Sequence, residues 1–174
     1  DSAPLQEKVQ HGDKVCIVVA DVTRTWNKSN QFLIYIINEL NLGGVPDEDI
    51  CIVFAQGSHR AHTPEEDELV CGKEVLKRIK TYQHDCQDPT LVDMGTTKIG
   101  TPLKLNKHVV DADKVILVDG ITTHLFAGFG GGRKLILPGV AGYETIQRNH
   151  CHALAENVGG GVNPHTRPLM IDHN

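Results

Sequence analysis

Lys14-Val-Cys-Ile-Val-Val-Ala20, closed by Asp21-Val-Thr-Arg24, is the stretch that decides the fold. The apolar run is β-branched, of strand length and free of polar alternation, the pattern of a parallel strand covered on both faces. Ile50 to Ala55 (ICIVFA) and Lys114 to Asp119 (KVILVD) repeat it. Between these runs the period becomes helical. Phe32, Leu33, Ile36, Ile37 and Leu40 recur at helix spacing behind a cap at Ser29 or Asn30, and Gly43-Gly44 is the stop. Thr63-Pro-Glu-Glu66 reads as a cap, a first-turn proline and an acidic helix start, predicting helices over Pro64 to Cys71 and Lys73 to Lys80. Thr90 to Met94 is predicted as a short strand and Lys98 to Lys107 as extended or a hairpin. A last helix is predicted from Ala141 to Glu156, with a loop at Gly159-Gly-Gly161 and Asn163-Pro164. Strands alternating with helices predict an open, mostly parallel, Rossmann-like α/β sheet with helices on both faces.

That fold gives three polar clusters a common position. Asp21 to Arg24, Gln56 to Arg60 and Thr122 to Lys134 each follow the carboxyl end of a strand, the edge at which open α/β sheets bind ligands, so they are expected to converge in one cleft. The third cluster is His124-Leu-Phe-Ala-Gly-Phe-Gly-Gly-Gly-Arg-Lys134, followed by Pro138-Gly139 and His150. Gly128, Gly130, Gly131 and Gly132 allow backbone N–H groups to turn toward a phosphate, with Arg133 and Lys134 supplying positive charge. A surface loop carrying two cations is the plainer alternative. Two imidazoles, His59 and His124, with ordinary pKa values near ~6.5, would suit inversion of a carbon placed between them. Arg24 could hold a carboxylate bidentately while Asp21 orients it or caps a turn. For Lys134 a phosphate clamp, a Schiff-base nucleophile and a cofactor attachment point are all open. His150 lies in Asn149-His-Cys-His152, and consecutive helix positions diverge by about 100°, so one protein ligand completed by a cofactor fits better than a metal cluster. A zinc site from His59, His62 and His150 would need residues 59–62 to be helical. Neither G-x-x-x-x-G-K-[ST] nor G-x-G-x-x-G is present, because Arg133 interrupts both spacings.

Composition bounds the rest. The 174 residues fit one domain, 1–174. Lys and Arg number 17 against 22 Asp and Glu, an acidic balance that argues against a nucleic-acid surface. Five cysteines, none paired as C-x-x-C, suggest neither a disulfide framework nor a zinc ribbon, and reduced thiols in a cytoplasmic protein are expected. No apolar run approaches the roughly 20 residues of a membrane helix, so no membrane partner is expected.

The combination of Asp21-Val-Thr-Arg24, Gly57-Ser-His-Arg60 with Thr63, His124 with Gly130-Gly-Gly-Arg-Lys134, Pro138-Gly139 and His150 resembles the amino-terminal domain of the nickel-pincer-dependent lactate racemase family. The likeness runs from about residue 14 to 156 and includes the spacings from His124 to Lys134 and from Lys134 to His150. It implies an isomerase: a racemase or epimerase of a 2-hydroxy acid, lactate or a relative, working by reversible hydride transfer to a nickel-pincer mononucleotide through a 2-keto acid. By this resemblance Lys134 carries the cofactor covalently, Gly130, Gly131, Gly132 and Arg133 hold its phosphate, and His150 is the protein ligand to nickel. His59 and His124 would be the catalytic acid and base, in an order left open, and Arg24 with Asp21 would bind the substrate carboxylate. The resemblance also implies cofactor-maturation proteins as partners. A carboxyl-terminal closing domain, absent from this chain, would be a further partner, and without it the chain is expected to be inactive. Trp26 stands where relatives tend to carry proline, and Ala127 where a polar residue could assist the cofactor. A non-catalytic nucleotide- or phosphate-binding module is the alternative reading.

Overall fold

All six residues of strand β1 (Val15–Ala20) are buried in the computed structural model, which describes residues 2–124 and 127–151. After β1 come a 3₁₀ segment (Val22–Asn27), helix α1 (Leu33–Leu42), β2 (Ile50–Ala55), α2 (Pro64–Cys71), α3 (Lys73–Arg78) and β3 (Lys80–Gln83). The chain continues through β4 (Val92–Thr96), β5 (Pro102–Leu105), α4 (Lys107–Val110) and β6 (Lys114–Val118). It closes with β7 (Thr123–His124), β8 (Gly128–Phe129), a 3₁₀ turn (Gly132–Leu135) and α5 (Tyr143–Cys151).

Four strands form a fully parallel sheet in the order β3-β2-β1-β6, with Val15 opposite both Ile50 and Lys114. The chain steps outward from β1 to β2 to β3, then returns to the far side of β1. That reversal between β1 and β6 is a topological switch point, where the loops leaving two adjacent strands diverge and open a crevice. The expected sheet is thus present, with both faces covered. On one face Val15, Ile17, Val19, Ile52 and Phe54 pack against Leu33, Ile37 and Leu40 of α1 and Val70, Cys71 and Val75 of α2 and α3. On the other, Cys16, Val18 and Val53 meet Val109 of α4 together with Leu135 and Val140. Burial of the Val, Leu, Ile and Phe side chains among these contributes about 1.5–3 kcal/mol each to the layers that carry the switch point. The five cysteines are free thiols. No helix among the described residues is long and apolar enough to cross a membrane.

Several local expectations are corrected. The Ser29 hydroxyl donates to the Val70 carbonyl at 2.8 Å instead of capping α1, and residues 29–31 form a 3₁₀ turn before the helix. Lys80 opens β3 and is not helical, because residues 80–83 pair with β2 in register, Cys51 opposite Lys80. The short strand predicted at 90–94 lies at 92–96, and within the segment predicted as extended or a hairpin, 98–107, residues 102–105 are an extended strand that pairs antiparallel with it. β6 is an edge strand with Lys114 and Val115 exposed, so it is only partly covered. The last helix starts at Tyr143, Ala141 forming an isolated bridge to Leu105. Its predicted extension to Glu156, the loop at Gly159-Gly-Gly161 and Asn163-Pro164 lie outside the described residues.

Candidate active site

The loops that leave β1, β2 and β6 meet as the strand-end argument requires. They line a cleft of about 300 Å³ to which β1 contributes Asp21 and Arg24, β2 contributes Gln56 to His59, and the segment after β6 contributes Asp119, His124, Gly130, Gly131 and Lys134. His150 of α5 closes the far side, with Ile146 one turn before it. Of the residues expected here, Asp21, Arg24, His59, His124, Gly130, Gly131, Lys134 and His150 line the cleft. Gly132 and Arg133 are exposed and not among the lining residues.

Asp21 is buried and caps the 3₁₀ segment. Its Oδ1 accepts from the Thr23 N–H at 3.2 Å and the Thr23 hydroxyl at 2.5 Å, and its Oδ2 meets His59 Nδ1 at 2.5 Å. The carboxylate therefore faces His59, while Arg24 donates from Nη1 to Thr23 Oγ1 at 2.7 Å. His124 receives the Ala127 N–H on Nδ1 at 3.3 Å. This is the position marked in the sequence as lacking a polar side chain, and its backbone supplies the contact.

Lys134 is half-buried in the 3₁₀ turn that starts at Gly132. Burial, reinforced by the Arg24 charge and opposed by Asp119, pushes its amine down to about 8. Burial also lowers the pKa of His124, with the charges of Lys134, Arg24 and His150 adding to it, and that of His150, with Lys134 adding to it. The site thus favours a neutral amine and neutral imidazoles. The glycines act by shape as well as by donors. Gly131 has φ +76°, and a Cβ there would stand 2.8 Å from the Gly120 carbonyl oxygen. The Gly130 N–H is committed to the Thr122 carbonyl at 2.6 Å, so it is not turned toward a ligand as expected. This bond closes the β7–β8 ribbon that presents His124.

His62, weighed as a zinc ligand, is instead a tie between loops. Its Nε2 accepts from the Val22 N–H at 3.0 Å, its Nδ1 pairs with Asp67 at 3.1 Å, and its ring lies against Phe54. Residues 59–62 are not helical. Sequence reasoning missed Asp119, which accepts from Asn27 Nδ2 at 3.3 Å and from the Gly120 N–H at 2.7 Å while facing Lys134 across the cleft. Its signal was positional: an acidic residue directly after β6, as Asp21 is directly after β1. Trp26 does not line the cleft; it is half-exposed, its indole so close to Gly120 that a Cβ there would come within 2.4 Å of the ring.

Curated proteins are similar to this chain in sequence, and solved structures are similar to it in fold. Lactate racemase from Thermoanaerobacterium thermosaccharolyticum is 30% identical over 171 residues, covering 98% of this chain and 38% of that protein. Lactate racemase from Lactiplantibacillus plantarum is 33% identical over 150 residues, covering 86% of this chain and 35% of that one. The lactate racemase apoprotein structure from T. thermosaccharolyticum superposes with a TM-score of 0.80 at 31% identity over 95% of this chain and 38% of that chain. A Thermotoga maritima protein, 24% identical over 92% of this chain and 43% of its own, shares the fold with a TM-score of 0.74. The chain therefore spans little more than a third of the length of the curated relatives. The model of the lactate racemase N-terminal domain matches residues 1–160, and with these relatives it establishes that the chain belongs to the lactate racemase N-terminal domain family.

Proposed function

We propose that this cleft is the cofactor and substrate site of a 2-hydroxy acid racemase or epimerase, acting on lactate or a relative through a 2-keto acid. The observation that carries the reading is the convergence of Lys134, its amine pushed down to about 8, with Arg24, His59, His124 and His150 at one switch-point crevice. The reaction is assigned to this chain together with the remaining length that its relatives carry.

The residues present suit a nickel-pincer mononucleotide. Lys134 has the partly neutral amine that a covalent link needs, Gly131 lets the cleft wall pass close against the Gly120 carbonyl where a Cβ would collide, and His150 offers an imidazole whose lowered pKa keeps a lone pair for a metal. When bound, the cofactor supplies an acceptor for the hydrogen that leaves the substrate carbon with its electron pair. The chain's own groups do the rest. Arg24 holds the carboxylate of the 2-hydroxy acid. His59 and His124 serve the substrate oxygen, one of them taking the hydroxyl proton as the keto acid forms and giving it back on return. Proton transfer of this kind contributes about 10²–10⁴-fold. Asp21 acts through His59, as a positioning residue. Proteins that build and insert the cofactor are the partners this reading requires.

The test is loading. Lys134→Ala is expected to abolish the covalent adduct in protein co-expressed with the cofactor-building proteins. His59→Gln and His124→Gln are expected to load normally and to lower turnover. A normal adduct in Lys134→Ala would remove the attachment assignment, and reversible phosphate binding without adduct or nickel in the unsubstituted chain would favour a non-catalytic binding module.

A further inference from the structure

We propose that the fold presets His59 and His124 in opposite tautomers, so that their roles are not interchangeable: His59 Nε2 is the proton acceptor, and His124 Nε2–H is a hydrogen-bond donor. Each imidazole is held at Nδ1 by a partner that can play only one part. A carboxylate only accepts, so the 2.5 Å contact between Asp21 Oδ2 and His59 Nδ1 puts the ring proton on Nδ1 and leaves a lone pair on Nε2. A backbone N–H only donates, so the 3.3 Å contact from Ala127 to His124 Nδ1 puts the lone pair on Nδ1 and the proton of the neutral ring on Nε2. Both side chains line the same cleft. The two anchors are unlike in kind. Asp21 is buried, and its Oδ1 is fixed by both donors of Thr23, so Oδ2 is aimed at His59 by the cap of the 3₁₀ segment. Ala127 is buried beside the β7–β8 ribbon that carries His124.

The chemical meaning rests on the racemase reading, whereas the tautomers do not. The substrate O–H bond breaks and the proton bonds to His59 Nε2, giving an imidazolium that Asp21 stabilises; the pair left on oxygen forms the C=O bond as the C–H bond breaks, its hydrogen leaving with that bond's pair to the acceptor that the bound cofactor would supply. His124 Nε2–H steadies the oxygen as it becomes a ketone. The same proton returns from His59 to that oxygen after the keto acid has turned its other face, so one proton carrier serves both directions. Asp21 is then the positioning residue of the pair.

Long-range ¹⁵N–¹H correlation of the histidine rings tests this in the labelled chain at pH about 8, above the ordinary imidazole range of ~6.5. The ring signals are assigned by their loss in His59→Gln and His124→Gln. The expected result is Nδ1–H for His59 and Nε2–H for His124; the same tautomer in both overturns the proposal. Asp21→Ala should convert His59 to Nε2–H and leave the His124 pattern in place, and an unchanged His59 would show that Asp21 does not set it. In loaded full-length protein, His124→Gln, whose amide still donates, should lose about tenfold in kcat. His59→Gln should lose about 10²–10⁴-fold. Equal losses overturn the division of roles, whereas absence of racemisation in the loaded unsubstituted protein would overturn the racemase reading and leave the tautomers to the spectra.

Discussion

Lys134 shows how one side chain inherits its chemistry from its neighbours. Burial is the larger influence on its amine and the Arg24 charge the second, so the neutral fraction grows as pH rises through about 8 and not through the 10.5 of a solvated lysine. Amine-directed labelling followed by peptide mapping is expected to give a midpoint of about 8 at Lys134. Arg24→Ala should move it upward, because removing a cation favours the charged amine. A midpoint near that of the exposed lysines would contradict the burial account. Lys134 was legible in the sequence because it is part of a short linear pattern with His124 and His150. Its counter-charge was not: Asp119 is far from Lys134 along the strand-to-loop path, and only the turn at Gly130 to Gly132 brings them to one cleft.

Among the elements, α2 shows a local rule fully realised. Thr63 Oγ1 accepts from the Glu66 N–H at 3.4 Å, the Glu66 carboxylate accepts from the Thr63 N–H at 2.9 Å, and Arg60 pairs with the same carboxylate at 2.7 Å. Thr63→Ala is expected to lower unfolding free energy by about 1 kcal/mol in urea titrations, and no change would show the box to be idle. At the core, Ile37→Ala, which truncates a side chain with no exposed surface, should cost about 2–5 kcal/mol in the same titration. Capping and apolar runs were readable because they are written in neighbouring residues. β3 was not, since Lys80 to Gln83 carries three polar residues and no buried position, with only Thr81 and Tyr82 half-buried, and becomes a strand through its pairing with β2. The Ser29 cap failed for a similar reason: a distant carbonyl, Val70, competed for the hydroxyl. The glycine segment reads as a loop in sequence and is a small ribbon followed by a 3₁₀ turn, a difference set by the Gly130–Thr122 bond.

At the scale of the whole molecule, His84 joins parts that are distant in sequence. It is buried, with Nε2 donating to the Ala141 carbonyl at 3.0 Å and Nδ1 beside the Asn106 amide at 3.3 Å, while the Gln56 side chain receives its N–H at 2.8 Å. Burial lowers its pKa below the ordinary 6.5, so the folded state resists a proton that the unfolded chain accepts. Its contribution to stability is present above about pH 6.5 and is lost as pH falls below it. Thermal unfolding should show Tm falling with acidification in that window, and His84→Gln should flatten part of the slope; an unchanged slope would remove His84 from the account. The parallel sheet and the convergence of its loops were legible from three apolar runs and the polar residues that end them. The order β3-β2-β1-β6, which puts the crevice between β1 and β6, was not, because strand order is fixed by packing on both faces and not by any one segment. The central claim, that this crevice holds a cofactor on Lys134, is tested most directly by intact mass and nickel content of the chain after co-expression with the cofactor-building proteins, beside a lactate racemase as loading control. A nucleotide-sized adduct mapping to Lys134 with nickel near one per chain is the predicted result. An unmodified, nickel-free chain beside a loaded control would contradict it.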